Sequence, residues 1–184
     1  MGILTFGVLF SLGKALITTE AGRIFMLVKD LMTTGISCVK EDTSLKQIAK
    51  QMKQEDVGLI PVCNDKGEVL GVVTDRDLVL RALAREIGDH SGEKKAPGKS
   101  GAQESQLKAR DVMSTNIVCA SPDMNTHHAA LLLAKYQVRR LPVTQNGKLV
   151  GMLSMADIAR KTVFIDEAGD ALSSICAVAP PSHL

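Results

Sequence analysis

The chain has 184 residues, 22 Lys and Arg against 20 Asp and Glu, a net charge of +2, and 45% hydrophobic but only 3% aromatic residues. That length is enough for one domain, or two very small ones, with a buried core. A nearly neutral chain with one Tyr, four Phe and no Trp offers neither a phosphate-neutralising surface nor rings for base stacking, which argues against a nucleic-acid polymer as partner.

The first 25 residues, MGILTFGVLFSLGKALITTEAGRIF, hold an apolar run from Gly2 to Gly13 that Lys14 interrupts. The run is too short to span a bilayer. It also lacks a basic start and a small-residue cleavage signal, so it does not read as a secretory peptide. Residues 1–25 are therefore expected to be an N-terminal extension. A helix here would pack on the body or on a partner in preference to a membrane, and the organised part begins at Met26.

From Met26 onward the chain is written twice. VKDLMTTGISCV (Val28 to Val39) aligns with ARDVMSTNIVCA (Ala109 to Ala120), so that Asp30, Met32, Ile36 and Cys38 meet Asp111, Met113, Ile117 and Cys119 at an offset of 81 positions. GLIPV (Gly58 to Val62) meets RRLPV (Arg139 to Val143) at the same offset. After one deletion, Gly71, Thr74 and Asp77 meet Gly151, Ser154 and Asp157 at an offset of 80. Chance does not hold register across separate blocks.

Each copy reads as strand, helix, strand, strand, helix. After Thr43 and Ser44, Leu45, Ile48, Ala49 and Met52 form one helical stripe; after Thr126, Ala129, Leu132, Leu133 and Tyr136 form the other. Two short apolar strands follow in each copy, joined through Asn64-Asp65-Lys66-Gly67 in the first and Asn146-Gly147 in the second, the latter a strong hairpin signal. A last helix starts at Thr74 or Ser154. The expected divisions are an extension (1–25), repeat 1 (26–85), a flexible linker (86–107) rich in Gly, Ser, Pro and Lys, repeat 2 (108–163) and a tail (164–184) with one more short helix over 166–175.

The recurring Thr/Ser-x-x-Asp has two readings. A strand that turns directly into a helix leaves the first N–H groups without partners, and a hydroxyl with an acid three residues on can simply cap them. The same helix start can hold an anion, with the carboxylate one turn in gripping a vicinal diol such as a ribose. The recurrence, and the Gly three residues before each hydroxyl, which lets another group approach the strand, favour the ligand site.

His127 and His128 are neighbours on a helix and diverge by about 100°, so they do not share a metal. No phosphate-binding Gly-rich loop, nucleophile elbow or zinc-protease motif occurs, and no base, nucleophile and orienting group come together, so no catalytic or metal residue is expected. Cys38, Cys63, Cys119 and Cys176 contain no C-x-x-C pair. Reduced core thiols at Cys38 and Cys63, and a cytoplasmic setting, fit better than a disulfide framework.

Over roughly Met26 to Thr162 the duplicated blocks resemble a pair of cystathionine-β-synthase (CBS) domains. The resemblance implies an α/β (α+β) fold of tandem β-α-β-β-α repeats packed as one pseudo-twofold module. It further implies a non-catalytic, energy-sensing regulator that binds AMP, ADP, ATP or S-adenosylmethionine in clefts between the repeats, forms a homodimer and signals to a protein partner. By this resemblance Asp77 and Asp157 hold ribose, Thr74 and Ser154 lie beside phosphate, and Ile36, Ile60, Pro61, Ile117, Leu141 and Pro142 wall the base. It also places basic residues before one repeat's LPV strand near the phosphate of the other repeat. Arg139 and Arg140 stand there in the second copy and Gly58 and Leu59 in the first, while Arg76 has Ala156 as its counterpart. The two sites are thus expected to differ, with phosphate favouring the Asp77 side. A purely structural dimerisation module with empty clefts is the competing expectation.

Overall fold

The computed structural model describes residues 7–11, 14–18, 24–83, 107–161 and 165–177. Residues 86–106 of the linker expected at 86–107, and residues 178–184 of the expected tail, lie outside them.

Among the first 25 residues the structure corrects the helical expectation. β1 (Gly7–Ser11), β2 (Lys14–Thr18) and β3 (Ile24–Phe25) form an antiparallel sheet in the order β1-β2-β3, with Val8 opposite Ile17 and Phe10 opposite Ala15. Val8, Phe10, Ile17 and Thr18 are strand-favouring types, and Gly7 weakens a helix.

Two compact units follow. The Thr74 unit is Ser37–Ile117; the Ser154 unit joins the chain up to Ile36 to that from Val118 onward. The compact units therefore exchange the leading segments of the two sequence repeats: Met26–Ile36 packs with the second copy's sheet, and 107–117 with the first copy's.

In the Thr74 unit, α2 (Leu45–Glu55) begins at Ser44, whose hydroxyl accepts from Gln47 N–H while the Gln47 side chain returns to Ser44 N–H. It buries Leu45, Ile48 and Met52; Ala49, expected on that stripe, is exposed. β4 (Leu59–Cys63) and β5 (Val69–Thr74) form an antiparallel hairpin. Asn64 Oδ1 accepts from Lys66 and Glu68 N–H, and Gly67 takes a φ of 79°, so the turn residues supply their own hydrogen bonds. α3 (Asp75–Asp77) continues into a π-helical segment, Leu78–Leu83. Ile48, Ile60, Val62, Val73 and Val112 fill the core. Each fully buried side chain of this kind contributes about 1.5–3 kcal/mol.

The Ser154 unit repeats the plan. α1 (Val28–Leu31) here has α4 (Ala109–Val112) as its counterpart in the other unit. α5 (Thr126–Tyr136) is capped by Asn125, one residue before the sequence-based start, because buried Thr126 instead donates its hydroxyl to Met26 O at 2.8 Å. Tyr136, expected on the apolar stripe, is exposed, while Ala129, Ala130 and Leu133 are buried. β6 (Arg140–Gln145) and β7 (Lys148–Ser154) meet at Asn146-Gly147, where both residues have positive φ (52° and 78°), as the tightest hairpin turn requires. α6 (Met155–Ala159) follows, and α7 (Ile165–Cys176) packs on α5 through Ala168, Ala171 and Ile175.

The leading strand of each repeat shrinks to a single parallel bridge, Val39 to Val62 and Ala120 to Val143. On the opposite edge the exchanged segment adds an antiparallel bridge, Ser114 to Val72 and Thr33 to Met152. Both sheets also bulge at one place, between Val62 and Cys63 and between Val143 and Thr144.

Candidate functional site

At Thr74 the strand ends in extended geometry and the helix begins at once. Thr74 N–H donates to Asp77 Oδ2 at 2.9 Å, the Thr74 hydroxyl donates to the same oxygen at 2.8 Å, and Asp77 N–H donates to Thr74 Oγ1 at 3.1 Å. Ser154 and Asp157 repeat this at 2.8, 2.6 and 3.2 Å. The capping role is thus realised in both copies. Both aspartates are only 8% exposed, and each commits Oδ2 to its own chain.

Oδ1 is the oxygen left for other chemistry. Arg81 Nε lies 3.3 Å from Asp77 Oδ1, and Arg160 pairs with Asp157 Oδ1. Sequence reasoning missed both arginines, although the i+4 and i+3 spacings on a helix signal such pairs. Their side chains are 47% and 71% exposed, so the ion pairs are open to solvent and a diol hydroxyl reaching Oδ1 has only a screened partner to displace. Arg81 has a second duty: its Nη1 donates to Val112 O at 2.6 Å and to Ser114 Oγ at 3.2 Å, fastening the exchanged segment.

The two glycines prove structural. A Cβ on Gly71 would lie 2.7 Å from Ser114 O, and one on Gly151 2.8 Å from both Thr33 O and Met32 Sδ. The group that approaches the strand is the chain's own backbone, which removes one of the two arguments for a ligand drawn from the sequence pattern.

The remaining expected residues are placed unevenly. Ile60 and Leu141 alternate inward with Val62 and Val143 and are sealed in the cores, so neither has surface to offer a base. Pro61 and Pro142 lie on the other face of their strands and are also buried. Ile36 and Ile117 are half-buried, each in the unit whose sheet its segment joins: Ile36 with Ser154 and Asp157, Ile117 with Thr74 and Asp77. Arg76 is exposed beside Asp75 at the start of α3. Arg139 and Arg140 are exposed, and by strand register they flank Ser154: Arg140 is its ladder partner, and Arg139 O accepts from Met155 N–H at 3.0 Å. In the first copy Leu59 and Gly58 hold these places, and a Cβ on Gly58 would lie 2.9 Å from Asp75 Oδ2.

The described residues contain no group of three or more His, Cys, Asp or Glu side chains able to hold a metal, and none of their helices is long and apolar enough to cross a membrane.

The family model for the CBS domain matches residues 28–83 and 109–163. The CBS domain-containing protein YhcV of Bacillus subtilis is 36% identical over 148 residues, covering 80% of this chain and 94% of its own. A crystal structure of Hypoxic Response Protein I with two coordinated zinc ions is 29% identical, with a TM-score of 0.60 over 73% of this chain and 98% of that one. The crystal structure of CBSX2 in complex with AMP is 28% identical, with a TM-score of 0.58 over 76% of this chain and 98% of that one.

Proposed function

The chain belongs to the CBS-domain family, and from that premise we propose that it is a non-catalytic regulator that binds an adenosine-containing ligand at its two Thr/Ser-x-x-Asp helix starts. The observation that carries this reading is the twice-built carboxylate with Oδ2 locked in a cap and Oδ1 facing only an exposed arginine. A ribose hydroxyl donates to Oδ1; a phosphate meets the hydroxyl, the helix-start N–H groups and the nearby cations. The AMP complex of a 28% identical relative supports the ligand class. On this reading Thr74, Asp77, Arg76, Pro61 and Ile117 serve one site. Ser154, Asp157, Pro142 and Ile36 serve the other, together with Arg139 and Arg140, which this reading moves from the Asp77 side implied by the resemblance because they flank Ser154 by strand register, and Ile60 and Leu141 shape each site from the core. Ligand binding would alter the protein's own homodimer or a protein partner in the cytoplasm.

Calorimetric titration of the full chain with AMP, ATP and S-adenosylmethionine tests the reading. Saturable heat with at least one ligand, weakened in Asp77→Asn or Asp157→Asn, is the expected result. Flat titrations with all three would leave a structural dimerisation module as the better account, since the caps and glycines already have a purely structural use.

A further inference from the structure

Two cysteines of the Thr74 unit flank one backbone bridge. Val39 N–H donates to Pro61 O at 3.0 Å and Cys63 N–H donates to Val39 O at 2.9 Å, so Cys38 and Cys63 lie on adjoining segments. The bulge beside Cys63 lies on the partner strand, where Leu70 of β5 is the extra residue between Val69 and Gly71, the partners of Cys63 and Val62. The sequence grouped both as core thiols; the structure buries Cys63 and exposes Cys38. We propose that Cys38 and Cys63 are an oxidisable dithiol, which a hydroperoxide converts to an intrachain disulfide.

The second copy provides independent geometric support. Cys119 and Thr144 occupy the corresponding positions and flank the corresponding Ala120–Val143 bridge, and Val150 of β7 is the extra residue opposite Thr144 as Leu70 is opposite Cys63. There the Thr144 hydroxyl hydrogen-bonds the Cys119 sulfur, as the Cys38 and Cys63 thiols bond each other in the first copy. The same two positions therefore meet in both copies, and only the first has sulfur on both sides. Burial foremost, and then the Cys38 thiol, push the Cys63 thiol up to about 12. Cys63 is thus a poor first nucleophile, whereas Cys38 meets solvent and oxidant. The Lys40 ammonium, whose Nζ bonds Asn64 O at 2.9 Å, opposes that rise at Cys63.

In the first step Cys38 thiolate attacks the terminal peroxide oxygen. An S–O bond forms, the O–O bond breaks, and the leaving hydroxide or alkoxide takes a proton. In the second, Cys63 sulfur attacks Cys38 sulfur; the S–S bond forms, the S–O bond breaks, and water leaves with the Cys63 proton. The two thiols lose two electrons and the peroxide gains them.

The test treats the full chain with hydrogen peroxide in the presence of a chelator, alkylates it, and reads intact mass and non-reduced peptides. The expected product is monomeric, lighter than the reduced chain by two hydrogen atoms, and links the Cys38 and Cys63 peptides. Cys38→Ser and Cys63→Ser each abolish the link, and Cys63→Ser accumulates a Cys38 sulfenic acid that dimedone traps. Thr144→Cys gains a second link, at Cys119. Oxidation of Cys38 only to a sulfinic acid or an intermolecular dimer, or links that survive in Cys63→Ser, would overturn the proposal.

Discussion

Replacing Gly151 by Ala puts a methyl group where β7 has no room. Its Cβ would sit 2.8 Å from Met32 Sδ, which can swing away, and 2.8 Å from Thr33 O, which cannot. That oxygen belongs to a bridge in which Thr33 N–H donates to Met152 O and Met152 N–H donates to Thr33 O, both at 2.9 Å. Relief requires moving Thr33 by about half an ångström or more and loosening both bonds, at roughly 1 kcal/mol each. Residual overpacking adds about 1–2 kcal/mol. Lower unfolded-state entropy returns about 0.5–1 kcal/mol. The net expectation is a loss of about 2–3 kcal/mol, or a Tm lower by roughly 5–10 °C for a chain of this size. Urea denaturation of Gly151→Ala measures it, with Gly169→Ala as control. Gly169 lies on the exposed face of α7 with nothing within 4 Å of a new Cβ, so that variant should gain about 0.5–1 kcal/mol. If Gly151→Ala falls within about 0.5 kcal/mol of wild type, or gains stability as the control does, the close-approach argument is refuted.

Thr74→Ala and Ser154→Ala each remove a cap whose hydroxyl accepts from the acid's N–H, and each should cost about 1 kcal/mol in denaturation midpoint. Arg76→Ala should weaken AMP roughly tenfold while leaving adenosine nearly unchanged, because only AMP presents a phosphate to the guanidinium; equal losses for both in calorimetry would remove Arg76 from the site. Cys63 is protonated in the folded chain up to about pH 12, whereas an ordinary thiol ionises near 9.0. Its contribution to stability is therefore full below pH 9 and is lost as pH rises from 9 toward 12, and urea midpoints of Cys63→Ala against wild type should show a shallower alkaline decline in the variant. The Lys40 ammonium holds the Asp65 carboxyl below its ordinary 3.8, so acid removes that exposed ion pair's small contribution, and Asp65→Asn should leave the urea midpoint at pH 7 indistinguishable from wild type.

Local chemistry was legible in the sequence wherever a residue acts on its near neighbours. Asn146-Gly147 specifies its own turn through two positive φ angles, and Thr74 with Asp77, like Ser154 with Asp157, closes its own cap within three residues. The duplication and its two hairpins followed from the same local rules. Periodicity found Ile48 and Leu133 but misplaced Ala49 and Tyr136, because a 3.6-residue period marks an apolar stripe without saying how far the opposing surface extends. Tertiary structure alone decided what stands against Gly71 and Gly151. Ser114 and Thr33 are recruited through backbone N–H and C=O groups that every residue carries, so no side-chain pattern advertises them. For the same reason the contact of Cys38 with Cys63, and the exchange of leading segments between the units, emerge only once distant stretches of backbone have paired.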